Sequence, residues 1–118
     1  MKKKAGAAAS ADALRDLDPE FRRVVDAFGG DPRVTFGKMM ASPGLKVGGK
    51  IFAMLTRGRF VAKLPRARVD ALVASGAGER FDPGHGRVMK EWVSVGHGAA
   101  DWLELAEEAH RFVSGGAS

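Results

Sequence analysis

Apolar residues near the start of the chain recur at the spacing of an α-helix. They fall at offsets of 3, 7, 10, 11 and 14 from the first, which places them on one stripe of a helix with 3.6 residues per turn. The stripe comprises Leu14, Leu17, Phe21, Val24, Val25 and Phe28. Asp18-Pro19-Glu20 has the form of an N-cap followed by a proline at the first helical position. A helix is therefore predicted to begin or to kink at Asp18 and to end at Gly29-Gly30.

From Arg33 onward the pattern changes to short apolar runs that are separated by glycine and rich in β-branched and aromatic residues. These runs cover residues 34–36, 45–47, 50–56 and 59–64. They are typical of an antiparallel meander. Gly48-Gly49 and Arg57-Gly58 have the composition of two-residue type I′ turns. Ser42-Pro43-Gly44 is predicted to form the turn that precedes these hairpins.

The second half of the chain predicts two further helices and one further strand. Pro65 opens a helix in which Val69, Leu72 and Val73 form the buried stripe, and Gly76 is placed to end it. A glycine-rich loop is predicted from Ser75 to Arg87. A strand is expected over residues 88–95, and a closing helix over the apolar positions between residues 102 and 113.

This order of elements predicts an α+β domain in which N-terminal, middle and C-terminal helices pack on an antiparallel sheet as two layers. A chain of 118 residues, 45% of them hydrophobic, suits one such domain, expected over residues 12–113. Residues 1–11 begin with three lysines but lack the strongly apolar core of a secretory signal, so we expect a disordered basic tail there and a second disordered tail at 114–118. No apolar run is long enough to span a membrane, and the expected compartment is the cytoplasm.

The residue types available for catalysis are few. The chain has no cysteine, which excludes disulfides, thiol nucleophiles and zinc–thiolate sites. Asp82, His85 and Arg87 bring a carboxylate, an imidazole and a guanidinium into one loop, the only candidate for a catalytic or ligand-binding site. Asp82-Pro83-Gly84 is, however, a turn sequence, and no second metal ligand stands near His85. The sequence therefore predicts a protein that is not an enzyme and holds no cofactor or metal.

Charge is distributed unevenly along the chain, although the total is only +5. Residues 12–31 contain six acidic and three basic side chains, and residues from 91 onward carry a net charge of −4. The predicted sheet and the start of the second helix contain nine basic residues and no acidic one. These are Arg33, Lys38, Lys46, Lys50, Arg57, Arg59, Lys63, Arg66 and Arg68.

Regular alternation divides the central hairpin into two faces. The predicted core face holds Ile51, Ala53, Leu55, Phe60, Ala62 and Leu64. The second face interleaves apolar groups with cations and holds Lys50, Phe52, Met54, Thr56, Arg59, Val61 and Lys63. A tight turn at Gly48-Gly49 adds Leu45 and Val47 to this second face. The two tryptophans, Trp92 and Trp102, are predicted to be core anchors.

Three hypotheses account for so apolar a face. A helix or loop covers it as ordinary core, with the cations reaching to the rim; it is a surface for protein partners or for self-association as a homodimer; or it binds single-stranded nucleic acid, with bases stacking near Phe52. The interaction face of the second hypothesis comprises Lys50, Phe52, Met54, Arg59, Val61 and Lys63. The nucleic-acid contacts of the third are Lys50, Arg59, Lys63, Arg66 and Arg68, with help from the basic tail.

Several motifs resemble the N-terminal domain of the TfoX/Sxy family. They are Val34-Thr35-Phe36-Gly37-Lys38-Met39-Met40, Gly44-Leu45-Lys46-Val47-Gly48-Gly49-Lys50-Ile51-Phe52-Ala53, Lys63-Leu64-Pro65 and Phe81-Asp82-Pro83-Gly84-His85-Gly86-Arg87-Val88-Met89-Lys90-Glu91-Trp92. The resemblance covers about Phe21 to Val113 and departs at Met40-Ala41-Ser42, where relatives commonly have Phe-Gly-Gly. It implies an α+β fold of the secretion-chaperone-like type and a role in regulation, because full-length members regulate natural competence.

The resemblance supplies no catalytic residues to carry over. We therefore expect a non-enzymatic regulatory or adaptor domain that binds another macromolecule, with protein as the first expectation. Nucleic-acid binding through the basic face is the alternative, and a small-ligand or enzymatic role for the loop from Asp82 to Arg87 is the remote one.

Overall fold

The computed structural model describes residues 17–39, 42–83, 86 and 88–115. Within these residues the chain is an α+β protein with three helices and six strands. In chain order they are α1 (Pro19–Ala27), β1 (Val34–Met39), β2 (Ser42–Val47), β3 (Lys50–Thr56), β4 (Arg59–Lys63), α2 (Arg66–Ala74), β5 (Glu79–Phe81), β6 (Met89–Val95) and α3 (Trp102–Ser114). The predicted fold class is confirmed, and the tail at 1–11 lies outside the described residues.

The six strands form one antiparallel sheet in the order β1-β2-β3-β4-β6-β5. Both predicted tight turns are confirmed, because Val47 pairs with Lys50 and Thr56 pairs with Arg59. The residues between them have φ of 57° and 84° in the first turn and of 55° and 76° in the second. A positive φ at both central positions is what a type I′ turn requires.

Helix α1 begins at Asp18, so the sequence signal marks a start and not a kink. The Asp18 carboxylate accepts hydrogen bonds from the backbone N–H groups of Glu20 (2.9 Å) and Phe21 (3.3 Å). These bonds satisfy two of the amide groups that a helix leaves without partners in its first turn. Pro19 follows as the first helical residue, where its missing N–H costs nothing.

All three helices pack on the same face of the sheet and enclose a single core. The largest buried aromatic rings lie at its centre, where Phe60 stacks on Trp102 at 5.4 Å between ring centroids and lies 6.1 Å from Phe21. The helices contribute to this core the buried residues Phe21, Val24, Val25, Val69, Leu72, Trp102, Leu105, Ala106 and Ala109. The sheet contributes Val34, Leu45, Val47, Phe52, Ala53, Phe60, Ala62, Leu64, Val93 and Val95. The predicted two-layer arrangement is therefore confirmed, and no described helix packs on the other face of the sheet.

Two local predictions were wrong. The loop predicted from Ser75 to Arg87 contains β5, a three-residue edge strand that pairs with β6. Two of its three residues are charged, so it lacks the alternation of apolar and polar residues from which a strand is predicted. Ser42-Pro43-Gly44, predicted to be a turn, instead begins β2 and pairs with β1. Pro43 is tolerated there because it lies beyond the last β2–β3 pair, Gly44 with Met54.

Gly78 allows β5 to approach β6 closely. A Cβ at this position would lie 2.7 Å from the Val93 Cγ2 and 3.2 Å from the Ser94 carbonyl oxygen. The first contact is with a side chain in the core and the second is with the backbone, so neither gives way easily. In the part of the chain that the structure describes, no helix is long and apolar enough to cross a membrane.

Candidate interaction face

A β-bulge between β2 and β3 decides which side chains reach the second face of the sheet. Leu45 pairs with Ala53, but the next pair joins Lys46 to Ile51, so Phe52 has no partner in β2. Phe52 is fully buried, and its ring centroid lies 5.3 Å from that of Phe28 in an edge-on contact. The prediction that Phe52 belongs to the interaction face was therefore wrong, because the extra residue at the bulge interrupts regular alternation.

The bulge also changes the sides of four neighbouring residues. Lys50 was predicted on the second face, but it pairs with the buried Val47 and so lies on the side of the helices. Leu45 and Val47 were predicted on the second face but are buried in the core beneath the helices. Ile51 was predicted in the core, but it is half-buried, is not part of the core cluster and pairs with Lys46 on the opposite side. These corrections have one physical cause. The extra residue in β3 reverses the side of the β3 positions between it and the Gly48-Gly49 turn. The turn joins those positions to β2, so the side of the β2 residues is reversed with them.

The helix-free face can now be defined by the cross-strand pairs that point away from the core. It comprises Lys46, Ile51, Met54, Thr56, Arg59, Val61, Lys63, Trp92 and Ser94. Val61, a member of the predicted interaction face, has no exposed surface and so cannot itself contact a partner. Trp92, predicted to be a core anchor, is half-buried on this face, whereas Trp102 is in the core. The alternation of Trp92 with Val93 and Val95 is the sequence signal that could have placed it correctly.

Arg59 is held against the sheet and is not a free cation. Its Nε donates to the Ser94 hydroxyl oxygen at 2.8 Å, and its Nη2 donates to the Ser94 carbonyl oxygen at 3.2 Å. The same Nη2 lies 4.0 Å from a carboxylate oxygen of Glu79. Because its planar donor group is already engaged, Arg59 contributes to the sheet before it contributes to any partner.

Lys63 and Trp92 form a ridge between two open grooves. The Lys63 Nζ lies 5.9 Å from the centroid of the Trp92 ring, within the range of a cation–π contact. The first groove has a volume of about 580 Å³ and the second about 730 Å³. The first groove is lined by Lys46, Gly49, Lys50, Ile51, Lys63, Glu91, Trp92, Phe112 and Val113. Phe112 and Val113 belong to α3, so this groove extends from the helix-free face around the end of the sheet to the helix layer. The second is lined by Lys63, Pro83, Val88, Met89, Lys90, Glu91 and Trp92.

The cations that line these grooves are lysines without carboxylate partners. Lys46, Lys50, Lys63 and Lys90 form no ion pair with any described residue, and Glu91 is the one acidic side chain in either groove. Five arginines elsewhere do pair with carboxylates. They are Arg22, Arg33, Arg59, Arg68 and Arg80. The positive charge of the grooves is therefore not neutralised by the described part of the protein.

The five predicted nucleic-acid contacts do not share one surface. Lys50 and Lys63 line the first groove, and Arg59 is bound to Ser94. Arg66 and Arg68 belong to α2, in the helix layer, and Arg68 donates to both carboxylate oxygens of Glu108 at 2.8 and 3.0 Å. These hydrogen bonds raise the pKa of Arg68 above its ordinary value.

The candidate loop is only partly described. Asp82 is half-buried, and its carbonyl oxygen accepts a hydrogen bond from Arg57 at 3.4 Å. His85 and Arg87 lie outside the described residues. Within the described ranges, no group of three acidic, histidine or cysteine side chains could hold a metal ion.

The other two histidines contact carboxylates that lie more than 70 residues away in the chain, so no local pattern could have predicted these contacts. His97 lies between Glu20 and Asp18, with each ring nitrogen 2.8 Å from one carboxylate oxygen. The hydrogen bond to Glu20, followed by that to Asp18, raises the pKa of His97 above 6.5. His110 contacts Asp31 at 3.0 Å. The backbone N–H of Arg33, and to a lesser extent His110, lowers the pKa of Asp31.

No protein-family model, curated protein or solved structure matches this chain. The resemblance to the TfoX/Sxy family therefore stays a prediction from the sequence motifs.

Proposed function

We propose that the protein is a non-enzymatic regulatory or adaptor domain that binds another protein through the helix-free face and the two grooves that adjoin it. The observation that carries the proposal is the combination of exposed apolar side chains with lysines that lack carboxylate partners. Val88 is 51% exposed and Met89 is 38% exposed, and both line the second groove beside Trp92. Exposed apolar groups grouped around a tryptophan and bordered by charge are typical of protein-binding surfaces.

The arrangement of the layers supports this choice of surface. The helices cover one face of the sheet and enclose the core cluster there, so substitutions of exposed residues on the other face leave that cluster intact. The two described histidines that the sequence offers for chemistry contact α1 and the turn after it, not the grooves. The helix-free face therefore combines apolar contact area with charge, but none of the described side chains there forms a nucleophile–base pair.

The regulatory part of the proposal rests on the motifs shared with the TfoX/Sxy N-terminal domain. If the resemblance extends to function, the partner is a component of a transcriptional or competence-type regulatory process. The two grooves would then be the surface through which the domain engages that component.

Single-stranded nucleic acid is the second candidate partner. The observation that favours it is the set of lysines around Trp92, since single-strand sites combine cations along the backbone with aromatic rings that stack on bases. The contacts in this case would be Lys46, Lys63 and Lys90. They would replace Arg66 and Arg68, which lie in the helix layer.

Site-specific photocross-linking tests the proposal and separates the two partners. A photoreactive amino acid is placed at Val88 in the full chain, and a matched control carries it at Glu107, which is exposed on α3. We expect cross-linked products from position 88 alone, and we expect protease but not nuclease to degrade the attached partner. Equal yields from both positions would contradict a role for this face. A partner that only nuclease removes would replace the protein with nucleic acid.

A further inference from the structure

We infer that the partner contributes an acidic segment with two apolar side chains, which crosses the ridge of Lys63 and Trp92 and places one apolar side chain in each groove. The inference rests on the proposed function and specifies the chemistry of the partner. Three observations support it: lysines line the grooves, apolar side chains line them as well, and the Lys63 ammonium group lies over the Trp92 ring.

Charge complementarity favours an acidic segment. Among the described residues, four lysines and one glutamate line the two grooves, and none of these lysines forms an ion pair with a described carboxylate. Carboxylates of a partner would reach these lysines at the rim, where opposite charges increase the association rate and exclude cationic competitors. A second copy bound through the same face would place lysines against lysines. This opposes a symmetric homodimer through the helix-free face.

The apolar lining of the grooves favours apolar side chains of a peptide. The lining of the first groove includes Ile51 and Val113, and that of the second includes Val88 and Met89. Aliphatic and thioether groups of this kind adapt to leucine or methionine side chains, and burial of each such side chain contributes to affinity. Lys63 and Trp92 line both grooves, so one continuous chain that uses both grooves must cross the ridge that they form.

The same details oppose nucleic acid. A base stacks on an open aromatic face, but the Lys63 ammonium group lies over the Trp92 ring, and Phe52, the predicted stacking ring, is buried in the core. A peptide that places apolar side chains in the grooves does not need an open face of the Trp92 ring.

Fluorescence anisotropy with designed peptides tests the inference on the full chain. The probe is a fluorescein-labelled peptide with two leucines that are separated and flanked by glutamates. Control peptides replace every glutamate with serine, every glutamate with lysine, or both leucines with serine, and labelled oligothymidylate is measured in parallel. The protein variant Lys46→Gln/Lys63→Gln removes two groove charges. Arg66→Gln, which removes an exposed charge from α2, is the matched control.

We expect the glutamate–leucine peptide to bind more tightly than every control, with affinity that falls as salt is raised. The double lysine variant should weaken binding about tenfold, since each exposed charge pair contributes a few-fold. Arg66→Gln should leave the affinity unchanged, and Val88→Ser should weaken it without changing the salt dependence.

The alternative outcomes separate the inference from the proposed function. Equal binding of the serine–leucine peptide would overturn the acidic partner but leave a protein-binding face. Equal binding of the glutamate–serine peptide would overturn the apolar anchors. Binding of oligothymidylate alone, abolished by the lysine variant, would overturn both the inference and the proposed function. If no probe binds, the inference is overturned, while cross-linking at position 88 still decides the proposed function.

Discussion

The bulge places Phe52 in the core and its neighbour Ile51 on the helix-free face, the opposite of what regular alternation predicts. Replacing each residue by alanine and measuring the loss of unfolding free energy tests this placement directly. Phe52 is fully buried and contacts two other rings, with centroid distances of 5.3 Å to Phe28 and 5.4 Å to His110. Removing a buried phenylalanine costs about 3–5 kcal/mol of unfolding free energy. Each lost ring contact adds about 0.5–1.5 kcal/mol beyond area burial, which places Phe52→Ala in the upper part of that range.

The half-buried Ile51 provides the matched control. Ile51 lies outside the core cluster, so Ile51→Ala should cost less than about 1.5 kcal/mol. A domain of this size has a total stability of about 5–15 kcal/mol, so Phe52→Ala removes a large share of it. Urea unfolding followed by tryptophan fluorescence gives both values. With a slope of about 1–3 kcal/mol per molar urea, the midpoint of Phe52→Ala should fall by more than about 1 M.

The refuting result is a reversal of the two costs. Regular alternation without a bulge would place Ile51 in the core and Phe52 on the helix-free face. In that case Ile51→Ala would be the more destabilising variant, and Phe52→Ala would change the midpoint only slightly. The same result would return Phe52 to the interaction face and remove one argument against nucleic-acid binding.

Three further predictions concern local features of the fold. The hydrogen bonds to Glu20 and Asp18 raise the pKa of His97 above 6.5, so its contribution to stability is complete below about pH 6.5 and is lost as the pH rises through the folded-state pKa. The unfolding midpoint of the wild type should therefore fall more steeply than that of His97→Gln as the pH is raised above 6.5. Gly78→Ala should destabilise the protein by about 1–3 kcal/mol in urea unfolding, because the added methyl group would overlap β6, and a change within error would contradict the close approach of β5. Arg57→Asn should increase the free energy of unfolding by up to about 1 kcal/mol and so raise the melting temperature, because asparagine tolerates a φ of 55° better than arginine does. A lower melting temperature would mean that contacts of the Arg57 side chain outweigh the strain of its backbone.

The parts of the fold that local sequence controls were predictable. Asp18-Pro19 marked the start of α1, and Gly48-Gly49 and Arg57-Gly58 marked two turns, because each signal depends on the backbone preferences of the residues themselves. The position of Phe52 was not predictable. Nothing in the residues around it distinguishes a bulge from a regular strand, and the choice is made by packing against α1 and α3.

Membership of the helix-free face was predictable only in part. Uneven charge and apolar interleaving indicated a sheet face that carries cations, and Met54 and Lys63 lie on the helix-free face. The side of Trp92 could be predicted from its alternation with Val93 and Val95, but its place beside Lys63 could not, because the position of β6 next to β4 depends on long-range pairing. Strand order across a connection that contains a helix leaves no local trace in the sequence.

The two tight turns also determine how the sheet is expected to assemble. Strands β2, β3 and β4 are joined by two-residue turns, so closing these hairpins sacrifices little chain entropy. Pairing of β4 with β6 closes a longer loop, because α2 and β5 lie between them along the chain. Folding rates should therefore respond to substitutions in the Gly48-Gly49 turn, whereas substitutions in β6 should act mainly on unfolding rates. The strand that supplies Trp92 would then join the sheet after the hairpins, and β5, which pairs only with β6, would follow it. The two grooves would therefore form late in folding.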